Sequence, residues 1–420
     1  MIVLNYVLAI FSLFVSALTL FYSAPRETKF AKDFTFFSCL FVLFFYVIPF
    51  SISSQLGYFM YRDMTYRITT ADLSIHFLGI SLFILGFSLS SLFITITKRK
   101  SENFKHVRFS NAFIFISAVV IIAVCVLGFI SNIGQLFLSI RRDEVDVNPL
   151  FALILIFVQS LGFCCLFEAE RRGSVLIFVT FAVSVLFLSV SIGGRVNLLT
   201  LIGMLLIFYK FPVKVSIVLS IVLIPITLPI LLNGKVIIAA LSTGGDLTNS
   251  FANIYGQSDY LPSISDNFGH VFISFQVVDS LIEKVGFRYF YDYIHGFMFY
   301  LRVLGFQVGD SLTYYNTEIL IGERVSIIPT GFLSFGYVQF GFVGIIASGV
   351  FYRFVGHFTE ALSNKLFFSG RMPGFYLSFI AANTFYVGEV RTIILAFLMP
   401  VMFVYLISLV GSKRYTLSSL

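Results

Sequence analysis

Hydrophobic residues in this chain fall into long blocks separated by short polar breaks, and the period-two alternation of exposed strands is missing. The blocks lie at approximately 2–22, 34–56, 71–97, 109–130, 149–167, 174–192, 196–211, 213–233, 329–352, 372–388 and 392–411. Most are near the ~20 apolar residues that carry a helix across ~30 Å of hydrocarbon. A membrane barrel would instead show short alternating strands. The pattern predicts an all-α integral membrane protein of about eleven transmembrane helices, ten to twelve, in three segments. Residues 1–233 form a bundle of about eight spans, 234–328 a long loop, and 329–420 a bundle of about three spans.

The loop of about 95 residues has patterning of its own. "STGGDLTNSFANIYGQSDYLPSISDN" is a polar Gly/Ser/Asn-rich stretch of loop character. "SFQVVDSLIEKVG" puts Phe275, Val278, Leu281, Ile282 and Val285 on one helical face and Asp279, Glu283 and Lys284 elsewhere. "YFYDYIHGFMFYLRVLGF" is aromatic but broken by Asp292, His295 and Arg302, which favours a membrane-surface or re-entrant helix over a twelfth span. Loops of this length are usually functional.

Composition sharpens the picture. Hydrophobic residues make up 58% of the 420, charged residues 12%, and mean hydropathy is +0.95. Soluble domains average about 25% charged, so a soluble enzyme is excluded. With no Trp, interfacial anchoring falls to Tyr clusters such as Tyr289–Tyr293. Cys39, Cys125, Cys164 and Cys165 lie inside apolar runs, without disulfide or metal spacing. The opening "MIVLNYVLAIFSLFVSALTLFY" lacks a basic leader and cleavage site and reads as the first span.

Charge then sets orientation. With the basic loop "KRKSENFKHVR" placed in the cytoplasm, that side collects 17 Lys/Arg and the short external loops six. The positive-inside bias puts the N-terminus outside, the C-terminus in the cytoplasm and the long loop outside. The net charge of +7 is then mostly topology and implies no nucleic-acid partner.

No phosphate-binding loop, no H-E-x-x-H and no Cys/His cluster occurs, so neither an ATP-driven pump nor a metal site is expected. Charges inside the spans are nearly missing, which weakens an ion-coupled transporter. The external face, by contrast, selects arginine: Arg141, Arg195, Arg288, Arg324 and Arg391 lie there or at external span ends. Arginine is the permanently charged fork suited to phosphate and carboxylate oxygens. Many such residues merely snorkel at helix ends. Arg195 in "SIGGRVN" and Arg391 in "GEVRTI" differ, because each occupies a tight turn between two apolar runs. Gly193 and Gly194 would let the backbone approach a ligand closely. Candidate acid–base groups are His270, His295, Asp279, Asp292, Glu318, Glu323 and Glu389, with Glu389 foremost because it shares a turn with Arg391.

Three features resemble the bacterial O-antigen repeat-unit polymerases of the Wzy type. They are the Gly-Arg turn "SIGGRVNLL", the long external loop towards the C-terminal third, and "PTGFLSFGYVQFGFVGIIASGVFYRF" (329–354). An Arg-x10-Gly pattern described for some members is absent. The resemblance implies a multi-pass glycosyltransferase of the bacterial inner membrane that joins undecaprenyl-diphosphate-linked oligosaccharides on its external face, without a cofactor. Arginines would stabilise the diphosphate leaving group, and a carboxylate or histidine would act as base. The partners it implies are the lipid-linked oligosaccharide, the bilayer, and a chain-length regulator and flippase. The alternatives are an O-antigen ligase, with the same lipid-diphosphate donor, and a flippase or exporter of lipid-linked sugar.

Overall fold

A computed structural model of the chain describes residues 29–61, 64–93, 107–128, 149–192, 195–210, 268–298, 309–324, 328–363 and 371–414. It is mostly helical (86%). The expected spans 2–22 and 213–233, and the loop up to residue 267, lie outside the described residues. Among those described, five helices are long and apolar enough to cross a membrane: Phe34–Leu56, Ala71–Ser90, Leu153–Arg172, Gly331–Ala361 and Val390–Gly411. Shorter apolar helices cover Asn111–Leu127, Val175–Leu186 and Leu199–Phe208. The chain is a helical, multi-pass membrane protein.

The chain divides into two compact units that interleave along the sequence. The first comprises Met1–Lys98, Asp259–Ala361 and Ser378–Leu398. It opens with α1 (Lys29–Val42), a π-helical turn (Leu43–Val47) and α2 (Ile48–Leu56), which ends at left-handed Gly57. Two four-residue strands follow, β1 (Tyr58–Tyr61) and β2 (Met64–Arg67), paired antiparallel. They are a small departure from the all-α expectation. The hydroxyl of Tyr66 donates to the Leu320 carbonyl at 2.7 Å, tying this hairpin to the distant 312–321 segment. Helix α3 (Thr70–Phe93) comes next.

The second unit comprises Arg99–Ser258, Leu362–Leu377 and Met399–Leu420. Here β3 (Val107–Phe109) leads into α4 (Asn111–Gly128), α5 (Pro149–Arg172), α6 (Val175–Ile192) and α7 (Arg195–Phe208). α5 runs five residues past the expected end at 167, so Glu168 is helical and buried, paired with Arg171 and Arg172. The carboxylate of Glu170 accepts the backbone N–H groups of Arg371 and Met372, both at 3.0 Å. It satisfies donors that the first turn of a helix cannot pair internally.

Returning to the first unit, the described residues of the segment expected as a long loop form short helices: α8 (His270–Gln276), α9 (Val278–Val285), α10 (Tyr291–Met298) and α11 (Leu312–Ile321). The predicted amphipathic face is realised in part: Phe275, Val278 and Leu281 are buried, Ile282 and Val285 half-buried, and Asp279, Glu283 and Lys284 exposed. α10 covers eight of the described residues, and 299–308 lie outside them.

Helix α12 (Gly331–Ser363) is broken at Phe340 and Gly341, the latter at φ 59 and ψ −142. The two limbs fold back on each other. A Cβ on Gly344 would sit 1.9 Å from the Gly336 carbonyl oxygen, and one on Gly336 would sit 2.4 Å from Ser348 Oγ. In an unbroken helix, residues eight apart stand about 12 Å apart. The expected single span 329–352 is therefore a helical hairpin, with a short limb (331–339) and a long limb (342–363). The long limb also corrects the expected boundary. Arg353 and Glu360, taken as lying beyond the span, are within the helix and buried, as is Glu168 in α5, so charges inside the spans are not nearly missing. The Arg353 guanidinium lies over the rings of Phe34 (5.9 Å) and Phe87 (5.5 Å), which accommodates its charge in an apolar setting.

Helix α13 (Arg371–Val387) precedes α14 (Val390–Ile393), a π-helical turn (Ile394–Leu398) and α15 (Met399–Gly411). Strand β4 (Ser412–Arg414) pairs antiparallel with β3.

Candidate functional site

The turn between α13 and α14 positions the principal carboxyl. Gly388 is left-handed (φ +70), and a Cβ there would lie 2.2 Å from the Gly331 carbonyl. Only glycine allows this approach. Glu389 follows in extended geometry, and its carbonyl accepts the Ile393 N–H at 2.9 Å, closing the first turn of α14. Its side chain points inward and is 1% exposed. The Thr313 hydroxyl, from α11, donates to Glu389 Oε2. Ser311, at the N-cap of α11, faces the same carboxyl. Burial pushes the Glu389 pKa up, and the charge of Asp292 adds to the push. The Arg391 guanidinium, the Thr313 hydrogen bond and Ser311 pull it back only partly.

Arg391, two residues on, is buried with its guanidinium 5.5 Å from the Tyr314 ring centroid. α10 lies against the start of α14. It can do so because position 296 is glycine; a Cβ there would come within 2.9 Å of the Arg391 backbone nitrogen.

α10 brings the second acid. Asp292 is fully buried and makes an ion pair with Arg288 at 2.9 Å, while Gln339 Nε2 donates to its Oδ2 at 2.7 Å. Burial alone would draw the Arg288 guanidinium down, but the hydrogen bond and charge of Asp292 raise it overall. One turn along, His295 Nε2–H donates to the Gly309 carbonyl at 2.7 Å, and Tyr291 stacks on its ring at 5.3 Å. Arg288 in turn covers Tyr291 at 4.4 Å.

The turn leading into α10 is strained. Tyr289 and Phe290 are left-handed (φ 44 and φ 66), unusual for aromatic residues. They pack on Phe340 at the break of α12, at 5.5 and 4.4 Å. The backbone N–H groups of Arg288 and Tyr289 donate to the carbonyls of Val338 (3.0 Å) and Gln339 (3.3 Å). The end of the short limb is thereby capped by the residues that launch the site helix. Strain of this kind concentrates at functional sites.

The structure thus gathers four of the residues singled out in the sequence, Arg288, His295, Glu389 and Arg391, around Asp292. Arg324 is exposed and holds Asp310 at 2.8 Å. Asp279 is exposed on α9. His270 belongs to a different group, with Phe45 at 5.4 Å and Tyr386 at 5.2 Å. Arg195 opens α7 in the second unit. Arg141, Gly193 and Gly194 lie outside the described residues. Sequence reasoning passed over Thr313 and Gln339, uncharged residues in apolar surroundings that carry no pattern. Asp292 was legible as a candidate, and its spacing of four from Arg288 is that of a helical ion pair.

Comparison with family models, curated proteins and solved structures finds no match to this chain. The reading of its activity therefore rests on the residues above.

Proposed function

We propose that this protein is a membrane glycosyltransferase that polymerises undecaprenyl-diphosphate-linked oligosaccharide units at the external face of a bacterial inner membrane. In this reading the chain has about eleven spans, with the N-terminus outside, the C-terminus in the cytoplasm and the α8–α11 region outside. The observation that supports it most is Glu389, a buried carboxyl with an upward-shifted pKa beside Arg391, at a junction of helix ends and not on the side of a span. A general base works best with its pKa near the operating pH, and burial moves a glutamate that way.

In the reaction, the acceptor hydroxyl attacks the anomeric carbon, the bond from that carbon to the diphosphate oxygen breaks, and the hydroxyl proton passes to Glu389 Oε1. The lipid diphosphate leaves with the bonding electrons. Guanidinium groups supply the charge that stabilises it, with Arg391 inside the site and exposed Arg324 at its edge. Asp292, held by Arg288 and Gln339, fixes α10 and keeps His295 in place. Arg195, Gly193, Gly194 and Arg141 remain candidate contacts to the diphosphate, and His270 and Asp279 candidate acid–base groups.

The test is the surface glycan profile of cells carrying Glu389→Gln or Arg391→Ala, with membrane level checked. Single repeats without a ladder are expected, with partial recovery in Arg391→Lys. Complete loss of glycan attachment would indicate a ligase instead, and an unchanged ladder in both variants would overturn the assignment.

A further inference from the structure

Three contacts in the first unit converge on one buried junction. Asn316 Nδ2 donates to the Ile328 carbonyl (2.9 Å) and to Ser274 Oγ (3.0 Å), and the Ile328 N–H donates to Thr317 Oγ1 at 3.0 Å. These bonds strap α11 to the chain just before the short limb of α12. One turn earlier on α11, Thr313 holds Glu389. Gly388, beside Glu389, lies on the Gly331 carbonyl where the short limb begins.

Five buried polar side chains on the elements that meet here each have an atom left without a hydrogen-bond partner: Ser311 Oγ, Asn316 Oδ1, Thr330 Oγ1, Ser334 Oγ and Glu389 Oε1. All five residues are at most 1% exposed. Ser311 stands at the N-cap of α11, makes no cap bond there, and faces the Glu389 carboxyl instead. Thr330 precedes the left-handed Gly331 that opens the short limb, and Ser334 lies in the limb's first turn. The limb's first turn also carries N–H groups that no intrahelical carbonyl reaches. Unpaired polar atoms in a protein interior carry their full desolvation cost, and native structures meet it with bound solvent or ligand.

We propose that this junction is a buried water site in which ordered waters bridge Asn316, Thr330, Ser334, Ser311 and Glu389 Oε1. The donor–acceptor balance selects the occupant. Asn316 Oδ1 can only accept, the first-turn N–H groups can only donate, and the three hydroxyls do either. An anion would face the Asn316 oxygen and the Glu389 carboxyl. A cation would face the positive end of the short limb. A neutral molecule that both gives and takes hydrogen bonds meets every group, and two to four polar partners per molecule is what a buried water takes. The water next to Oε1 is also a proton-exchange partner for the Glu389 carboxyl. This inference stands on the geometry and holds whether or not the protein joins sugars.

The test is X-ray radiolytic footprinting of the full chain in lipid nanodiscs. Hydroxyl radicals formed from bound water oxidise adjacent side chains even when bulk solvent cannot reach them. Ile328 and Phe332, which are 1% and 0% exposed, should be modified well above Leu188, which is equally buried. The companion measurement is the melting temperature of Thr330→Val and of Ser334→Ala. Removing a hydroxyl that holds water lowers it, whereas removing one from a dry junction raises it. Oxidation at Ile328 and Phe332 no greater than at Leu188 overturns the proposal, as does a raised melting temperature in either variant. The footprint of the unmodified protein decides the matter even if a variant fails to fold.

Discussion

Glu389 is the residue at which burial, charge and position coincide, and its upward pKa shift has a sign that can be checked. A carboxyl raised in the folded state binds more protons folded than unfolded just above its ordinary range. Stability from this group is fully present below the ordinary glutamate pKa of 4.5 and falls as pH rises through the folded pKa. Glu389→Gln should flatten that part of a stability-versus-pH curve, measured by thermal unfolding in nanodiscs. The arginines separate just as clearly. Arg288→Gln strands the fully buried Asp292 with only Gln339 and should destabilise by about 3 kcal/mol, as for a broken buried ion pair. Arg324→Gln removes an exposed pair and should leave the melting temperature unchanged. The sequence showed Glu389 and Arg391 because charges in a four-residue turn between apolar runs have nowhere to hide. It could not show that Thr313 and Gln339 complete the site, since an uncharged side chain acquires its meaning only from the backbone that faces it.

At the scale of elements, the α12 hairpin is the feature that hydropathy cannot express. A window average over 331–361 registers apolar residues and is blind to a reversal of direction inside it. The glycines at 336, 341 and 344 were visible as part of a Phe/Gly-rich run, but only the structure assigns them as the contact and hinge of two limbs. Gly344→Ala would place a methyl 1.9 Å from a backbone oxygen, which no rotamer can relieve. A loss of at least about 1–3 kcal/mol follows from overpacking alone. It should appear as reduced membrane level and a lower melting temperature, while Gly374→Ala, in open space on α13, should match wild type. The helices of the long loop were more legible. Apolar residues spaced three and four apart in 275–285 marked a buried face, and the acids and lysine between them marked the solvent side.

For the whole molecule, the sequence conveyed the class, a helical membrane protein, and it missed the assembly. Helices occupy the expected intervals among the described residues, since a bilayer forces backbone hydrogen bonding within each segment. Interleaving of the two units along the chain depends on contacts between distant residues, such as Tyr66 with Leu320, which no local pattern encodes. Orientation remains accessible to a direct measurement. Arg324→Cys adds an exposed thiol to a chain whose Cys164 and Cys165 are buried, once the half-buried Cys39 and Cys125 are replaced by Ser. A membrane-impermeant maleimide should label it in intact cells exposed from the outside. Labelling only after lysis would reverse the proposed topology.

The short limb of α12 also constrains how the protein is made. Residues 331–339 extend only about 14 Å as a helix, less than half of a bilayer core. Such a segment gives an insertion machine no reason to release it into lipid by itself. It has to wait for the long limb to be synthesised and threaded, and then seat against Gly344 and the 288–290 turn as a late, post-insertion step. The Glu389 junction, which depends on Gly331 meeting Gly388, can form only after the ribosome has passed the last of its components. A chain released early, before residue 389, would hold both limbs of α12 and lack the carboxyl that the junction positions.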